Sequence, residues 1–133
     1  MNPQTSFKLN NGANIPAVGL GTWKSQKGAV GKAVEVALDS GYRHIDCAAI
    51  YGNESEVGEV LKRRIGVGEG RIPRHEVFIT SKLWNDKHRA SDVEPTARES
   101  ISKLGLDFLD LYLVHWPYSL RKGYASPWTA EDL

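Results

Sequence analysis

Four residues in this chain have side chains suited to moving protons beside a polar double bond: Asp46, Tyr51, Lys82 and His115. A tyrosine, with an unperturbed pKa of about 10, is a poor proton donor or acceptor at neutral pH unless a cation stands close by. Lys82 can supply that charge. A lysine in a partly dry pocket tends to lose its proton, and a carboxylate such as Asp46 beside it keeps it charged. His115 can donate a hydrogen bond to a substrate oxygen, orienting a carbonyl and stabilising the alkoxide-like charge that grows on it during hydride attack. The chemistry these types suit is polar reduction of C=O.

For four residues scattered over 70 positions to act together, regular elements must bring them to one place. Residues 6 to 17 form two short alternating segments around Asn11-Gly12, which predicts a small two-residue hairpin at the start of the fold. Four short apolar runs follow, Val18 to Thr22, His44 to Cys47, Val77 to Leu83 and Leu109 to Trp116. Helical patterns separate them. The first puts Val30, Ala33, Val34, Ala37 and Leu38 on one face and stops at Gly41; the second does the same with Val57, Val60, Leu61 and Ile65 before the glycine-rich loop 66 to 70. The third opens with Ser91-Asp92-Val93-Glu94, a capping-box spacing, and continues through Ala97, Ile101 and Leu104 to Gly105. The second, third and fourth runs start about 32 residues apart, the period of βα units.

Two architectures use such units, an open doubly wound sheet and a closed eight-stranded barrel. In both, the working face lies at the C-terminal ends of the strands. The first run ends in Thr22-Trp23-Lys24, the second at Asp46 with Tyr51 five residues later, the third at Lys82 and the fourth at His115-Trp116. Length alone favours the sheet. The spacing of another helix start at Thr129-Ala130-Glu131-Asp132, just before the sequence stops at Leu133, favours an interrupted barrel.

Each of these residues also has a purely structural reading. Asp46 could cap a loop, Lys82 could be a solvated strand end, and Tyr51 and His115 could be half-buried packing residues with satisfied tips. Their coincidence at successive strand ends weighs against that reading. Trp23 and Trp116 could line an apolar pocket or close the core of a barrel. Gly19-Leu20-Gly21 fails as a dinucleotide fingerprint, because the third glycine would fall at Lys24 and no helix begins there. His44, His75 and His88 show no metal-ligand spacing with each other or with Cys47, so no metal is expected.

Composition narrows the partners. The 133 residues carry 17 basic and 16 acidic side chains for a formal net charge of +1, without a basic block, so neither nucleic acid nor an anionic membrane is an expected partner. A small molecule is. The lone Cys47 and the lack of a signal-like or membrane-length apolar run fit a cytoplasmic location. Asn53-Glu54-Ser55 matches a glycosylation sequon and is read as chance.

The motifs Gly-Leu-Gly-Thr-Trp-Lys at 19–24, Gly-Tyr-Arg-His-Ile-Asp-Cys-Ala at 41–48, Ile-Tyr-Gly-Asn-Glu at 50–54, Thr-Ser-Lys-Leu-Trp-Asn at 80–85 and Leu-Asp-Leu-Tyr-Leu-Val-His-Trp-Pro at 109–117 resemble those of aldo-keto reductases. The match spans nearly the whole chain. The strings at 23–25 and 46–54 look most similar to the aldehyde reductase branch, the NADP-dependent alcohol dehydrogenases. The resemblance implies the N-terminal half of a (β/α)8 TIM barrel with an opening β-hairpin, a single partial domain over residues 1–133 truncated after its fourth strand. It implies a catalytic tetrad of Asp46, Tyr51, Lys82 and His115, with Tyr51 as general acid, Lys82 and Asp46 tuning it, and His115 placing the substrate. NADPH would be the hydride donor, lying along Thr22, Trp23, Lys24 and Asp46. Trp23, Tyr51, His115 and Trp116 would wall the substrate pocket, and the segment from Pro117 would begin a loop that sets substrate choice.

The family's remaining cofactor clamp has no counterpart in these residues. The expected function is therefore NADPH-dependent reduction of an aldehyde or ketone when the other half barrel is supplied. The alternative is a catalytically idle fragment that interacts or regulates, and a small flavodoxin-like binding domain would explain neither tetrad nor hairpin. Unpaired strand edges and uncovered apolar helix faces make self-association an expectation as well.

Overall fold

The computed structural model describes residues 5–26 and 28–123, so the helix start expected near Thr129 lies outside the described residues. Strands β1 (Ser6–Lys8) and β2 (Asn14–Pro16) pair antiparallel with Phe7 opposite Ile15. Their connection is longer than the two residues expected. The Gly12 amide donates to the Leu9 carbonyl and the Leu9 amide to Ala13, with Gly12 at φ 87°, so the loop is a turn followed by a left-handed residue. Asn11 Oδ1 accepts from the Ala13 amide at 3.0 Å, which uses the asparagine to hold the turn from inside.

The βα units follow in the expected order. They are β3 (Leu20–Gly21), α1 (Ala29–Asp39), β4 (His44–Asp46), α2 (Glu54–Arg64), β5 (Phe78–Leu83), α3 (Ala90–Leu104) and β6 (Leu111–Val114). The four strands form one parallel sheet in the order β3-β4-β5-β6, each new strand added on the same side of the last. That monotonic order separates the two architectures left open by the sequence. A doubly wound sheet reverses its strand order at a switch point, whereas barrel strands add in one direction. The helices agree, since α1 packs on α2 and α2 on α3 along one face of the sheet.

The core lies between that face and the helices. Val30, Val34 and Leu38 of α1, Val57, Val60 and Leu61 of α2, Ile45 and Cys47 from β4 and its end, Ile79 of β5 and Leu104 of α3 form one buried cluster. The helical faces read from α1 and α2 are the buried ones. In α3 the expected Leu104 is buried and Ala97 and Ile101 are half-buried, whereas Val93 is exposed and the polar Ser100 is buried on the same stripe. The seat of α3 on α2 is tight: Gly58 lets the α3 backbone approach so closely that a Cβ there would lie 2.2 Å from the Lys103 carbonyl oxygen.

The capping box expected at Ser91 does not form. Helix α3 begins at Ala90 with Arg89 as N-cap and no side-chain cap, which puts Ser91 inside the first turn, where Asp92 still complements the helix dipole. The glycine-rich stretch between α2 and β5 is stitched rather than loose: Arg71 Nη2 donates to the Lys62 carbonyl at 2.8 Å, and a parallel bridge joins Ile65 to Ile72. No helix among the described residues is long and apolar enough to cross a membrane.

Candidate active site

Alternation along a strand decides which side chains reach the site. In β4 and just beyond it, Ile45 and Cys47 turn into the helix-facing core and Asp46 turns the other way. In β5, Ile79 and Ser81 face the helices and Lys82 faces with Asp46. Lys82 Nζ donates to Asp46 Oδ2 at 2.7 Å, to the Cys47 carbonyl at 2.9 Å and to the Tyr51 hydroxyl at 3.3 Å. An ammonium has three protons to give, and all three have an acceptor. With a side chain only 13% exposed, Lys82 is held in one place.

Tyr51 reaches this lysine from a short 3-10 turn, Ala49–Tyr51, between β4 and α2. His115 follows β6 directly, its amide bonded to the Leu83 carbonyl at 3.1 Å. Its ring stands edge-on to Tyr51 with centroids 5.6 Å apart and edge-on to Trp84 at 5.1 Å. Burial holds the His115 imidazole below the usual histidine pKa, the nearby Lys82 charge adds to that, and Asp46 opposes it. The balance favours the neutral ring over the charged one. Its Nδ1 is buried without a partner among the described residues. With Nδ1 as the acceptor of the neutral ring, Nε2 would carry the proton and could donate it.

The four residues expected to act together are thus brought to one mouth at the strand ends. Trp23, Ile50, Tyr51, Trp84, His115 and Trp116 line a cavity of about 280 Å³ over it. Trp23 and Trp116 are 65% and 50% exposed, so both present ring surface rather than closing a core. The His115 and Trp116 rings are parallel to within 1° with centroids 6.4 Å apart. Ile50 and Trp84 were not singled out from the sequence, although Trp84 lies two residues past Lys82 and the strand-end argument reaches it.

Thr22 was expected to lie along a cofactor, and its own contacts are structural. It is fully buried, with its hydroxyl donating to the Asp46 carbonyl at 2.9 Å and its amide to the same oxygen at 3.2 Å, so it ties the end of β3 to the end of β4. Lys24, at φ 58°, lays its ammonium 4.6 Å from the Trp23 ring centroid, and both side chains stand at the open rim. Asn53, read from sequence only as part of a sequon, donates from Nδ2 to the Thr22 carbonyl at 2.9 Å. Glu54 was overlooked as well: it is 3% exposed and its carboxylate accepts from Ser81 Oγ at 2.6 Å and Ser100 Oγ at 3.1 Å. No group of three His, Cys, Asp or Glu stands together as a metal cluster among the described residues.

Comparison with known proteins places this arrangement. Aldo-keto reductase family 1 member A1 of Rattus norvegicus is 54% identical over 119 residues, covering 90% of this chain and 36% of the relative. The Homo sapiens protein of the same name is 57% identical over 115 residues, covering 86% and 35%. The chain therefore spans little more than a third of the length of the curated relatives it matches. Among solved structures, an aldose reductase from Schistosoma japonicum superposes with a TM-score of 0.87 at 46% identity, over 96% of this chain and 42% of that one. A Bombyx mori aldo-keto reductase solved in complex with NADP gives 0.80 at 42% identity, over 88% and 39%. The parallel sheet and its helices are accordingly part of a (β/α)8 barrel. The aldo/keto reductase family model matches residues 17–124, and the chain belongs to that family of oxidoreductases.

Proposed function

We propose that this chain carries the proton-transfer half of an NADPH-dependent aldehyde or ketone reductase, with Tyr51 as general acid. The observation that supports it is Lys82 Nζ shared between Asp46 Oδ2 and the Tyr51 hydroxyl, at the floor of an aromatic-walled cavity. A carbonyl oxygen seated there takes a hydrogen bond from His115 Nε2 and faces the Tyr51 O–H. NADPH, when bound, supplies hydride to the carbonyl carbon. As the C=O π pair moves onto oxygen, that oxygen takes the Tyr51 proton; the product is the alcohol, and Tyr51 recovers its proton from solvent. The Lys82 ammonium faces the negative charge left on the phenol oxygen, and Asp46 holds that ammonium in place.

The donor set suits the nicotinamide end of a dinucleotide: the partly exposed Asp46 carboxylate for an amide or hydroxyl, and the exposed Trp23 ring with Lys24 at the rim. The cavity, apolar except for Tyr51 and His115, suits a small carbonyl compound, and a reducing cytoplasm suits the buried free Cys47. Replacement of Tyr51 by Phe tests the assignment. NADPH oxidation with an aldehyde should fall to background while NADPH binding, followed by fluorescence, persists; unchanged reduction would remove Tyr51 from the mechanism.

A second reading rests on the open edge of the sheet. Strand β6 has a neighbour on one side only in the described structure, and Leu113 and Val114 beside that edge are 40% and 59% exposed. Such an edge favours self-association, by which the chain would act as an interaction fragment with its tetrad idle. Sedimentation with and without NADPH separates the readings, because association without cofactor binding or turnover supports only the second.

A further inference from the structure

Directly after Tyr51, polar side chains turn away from the cavity into the body of the fold. Asn53 bonds the end of β3, and Glu54 reaches between β5 and α3 to the Ser81 and Ser100 hydroxyls. A carboxylate this buried is costly to desolvate, and here hydroxyls, not a cation, meet its oxygens. An apolar side chain would fill the same space without that cost. What Glu54 gains is a connection.

Ser81 and Lys82 are consecutive residues of β5 and point to opposite faces of the sheet. On the cavity face Lys82 bonds Tyr51; on the helix face Ser81 bonds Glu54, three residues after Tyr51. Two hydrogen bonds and two short stretches of backbone therefore close a ring: Tyr51 to Lys82, Lys82 to Ser81, Ser81 to Glu54, and Glu54 back to Tyr51. The ring passes through the sheet. The loop bearing Tyr51 cannot lift from β5 without breaking the Glu54 to Ser81 bond, and β5 cannot slide without breaking both. We infer that Glu54, acting through Ser81, is a positioning residue that sets the separation between the Tyr51 hydroxyl and Lys82 Nζ. This rests on the reading of Tyr51 and Lys82 as partners in proton transfer.

The test compares Glu54→Leu, which keeps bulk and removes both acceptors, and Ser81→Ala with Val34→Ala, a core change of α1 that removes none of the ring's hydrogen bonds. The first readout is the NOE between the Lys82 ε-methylene protons and the Tyr51 ring in the free chain, since Nζ lies 5.1 Å from the ring centroid. It needs neither cofactor nor turnover. The ring predicts that this NOE weakens severalfold in both ring variants and persists in Val34→Ala, whatever the three melting temperatures. With NADPH and an aldehyde, kcat should fall about tenfold or more in the ring variants with KM nearly unchanged. Glu54→Asp, which keeps the charge but shortens the reach, should not restore it. If Glu54→Leu does not fold, Ser81→Ala, the loss of one hydroxyl, carries the comparison alone. An NOE retained in the ring variants overturns the inference. An NOE lost in them while Tyr51→Phe still reduces aldehydes upholds the positioning and overturns the proton-transfer reading instead.

Discussion

The Lys82 ammonium stands 3.3 Å from the Tyr51 hydroxyl, its longest hydrogen bond, while its 2.7 Å contact with Asp46 is its shortest. The asymmetry suits a lysine whose place is fixed by the carboxylate and whose third proton is offered to a group that changes charge. Replacing Lys82 by Met keeps the volume of the stem and removes the cation. In the proposed chemistry that should lower kcat by roughly 10²- to 10⁴-fold, the usual weight of an assisted proton transfer, with less effect on KM. Steady-state kinetics on the variant check this, and a loss confined to KM would assign Lys82 to substrate binding.

Stability should fall on the acid side of neutrality through two histidines. His44 and His115 are both held below the ordinary histidine pKa, in each case chiefly by burial. The unfolded chain, with histidines near about 6.5, then binds protons that the folded chain does not. Their contribution is present above about pH 6.5 and is lost as pH falls from there through the depressed folded values. Urea midpoints should drop between pH 7 and 5, and His115→Gln should flatten part of that slope. A midpoint that rises on acidification would contradict the sign.

The convergence of strand-end residues and the order of the βα units were legible in the sequence because strand ends and apolar periodicity are local signals. Asp46, Lys82 and His115 each follow or end a β-rich apolar run, and parallel strands bring such ends to one side whatever the loops do. The Glu54 pair was not legible. Nothing near Glu54 in sequence names Ser81 or Ser100, and a glutamate at a helix start reads as an ordinary dipole partner. The close approach of α2 and α3 at Gly58 was equally hidden, since it is a contact between positions more than forty residues apart. The capping box at Ser91 failed for a smaller reason, the start of α3 one residue before it.

Cys47 should be inert in the folded chain. It is fully buried, and burial pushes its thiol up to about 12, with the Glu54 charge adding to the effect. The thiolate is the reactive form, so both access and ionisation oppose modification. Reaction with a thiol-directed reagent at pH 8 should follow the fraction unfolded across a urea titration. Fast labelling in the absence of denaturant would show that the sheet opens locally at β4.

Gly58 offers the sharpest test of the packing. On propensity alone, alanine within a helix gains about 0.8–1.0 kcal/mol over glycine. Here the added methyl would lie 2.2 Å from the Lys103 carbonyl oxygen and 2.9 Å from the Leu104 Cα, and both neighbours are backbone atoms that no rotamer change can move aside. The helices would have to separate, which loosens the buried Leu104 and lengthens the Ser100 to Glu54 bond. Overpacking of this kind costs roughly 1–3 kcal/mol and should outweigh the gain in propensity. Gly58→Ala is therefore expected to lower the urea midpoint, and because Glu54 shares its helix, to weaken the Tyr51 to Lys82 NOE as well. A raised midpoint would mean that α2 and α3 stand further apart in solution than this packing requires.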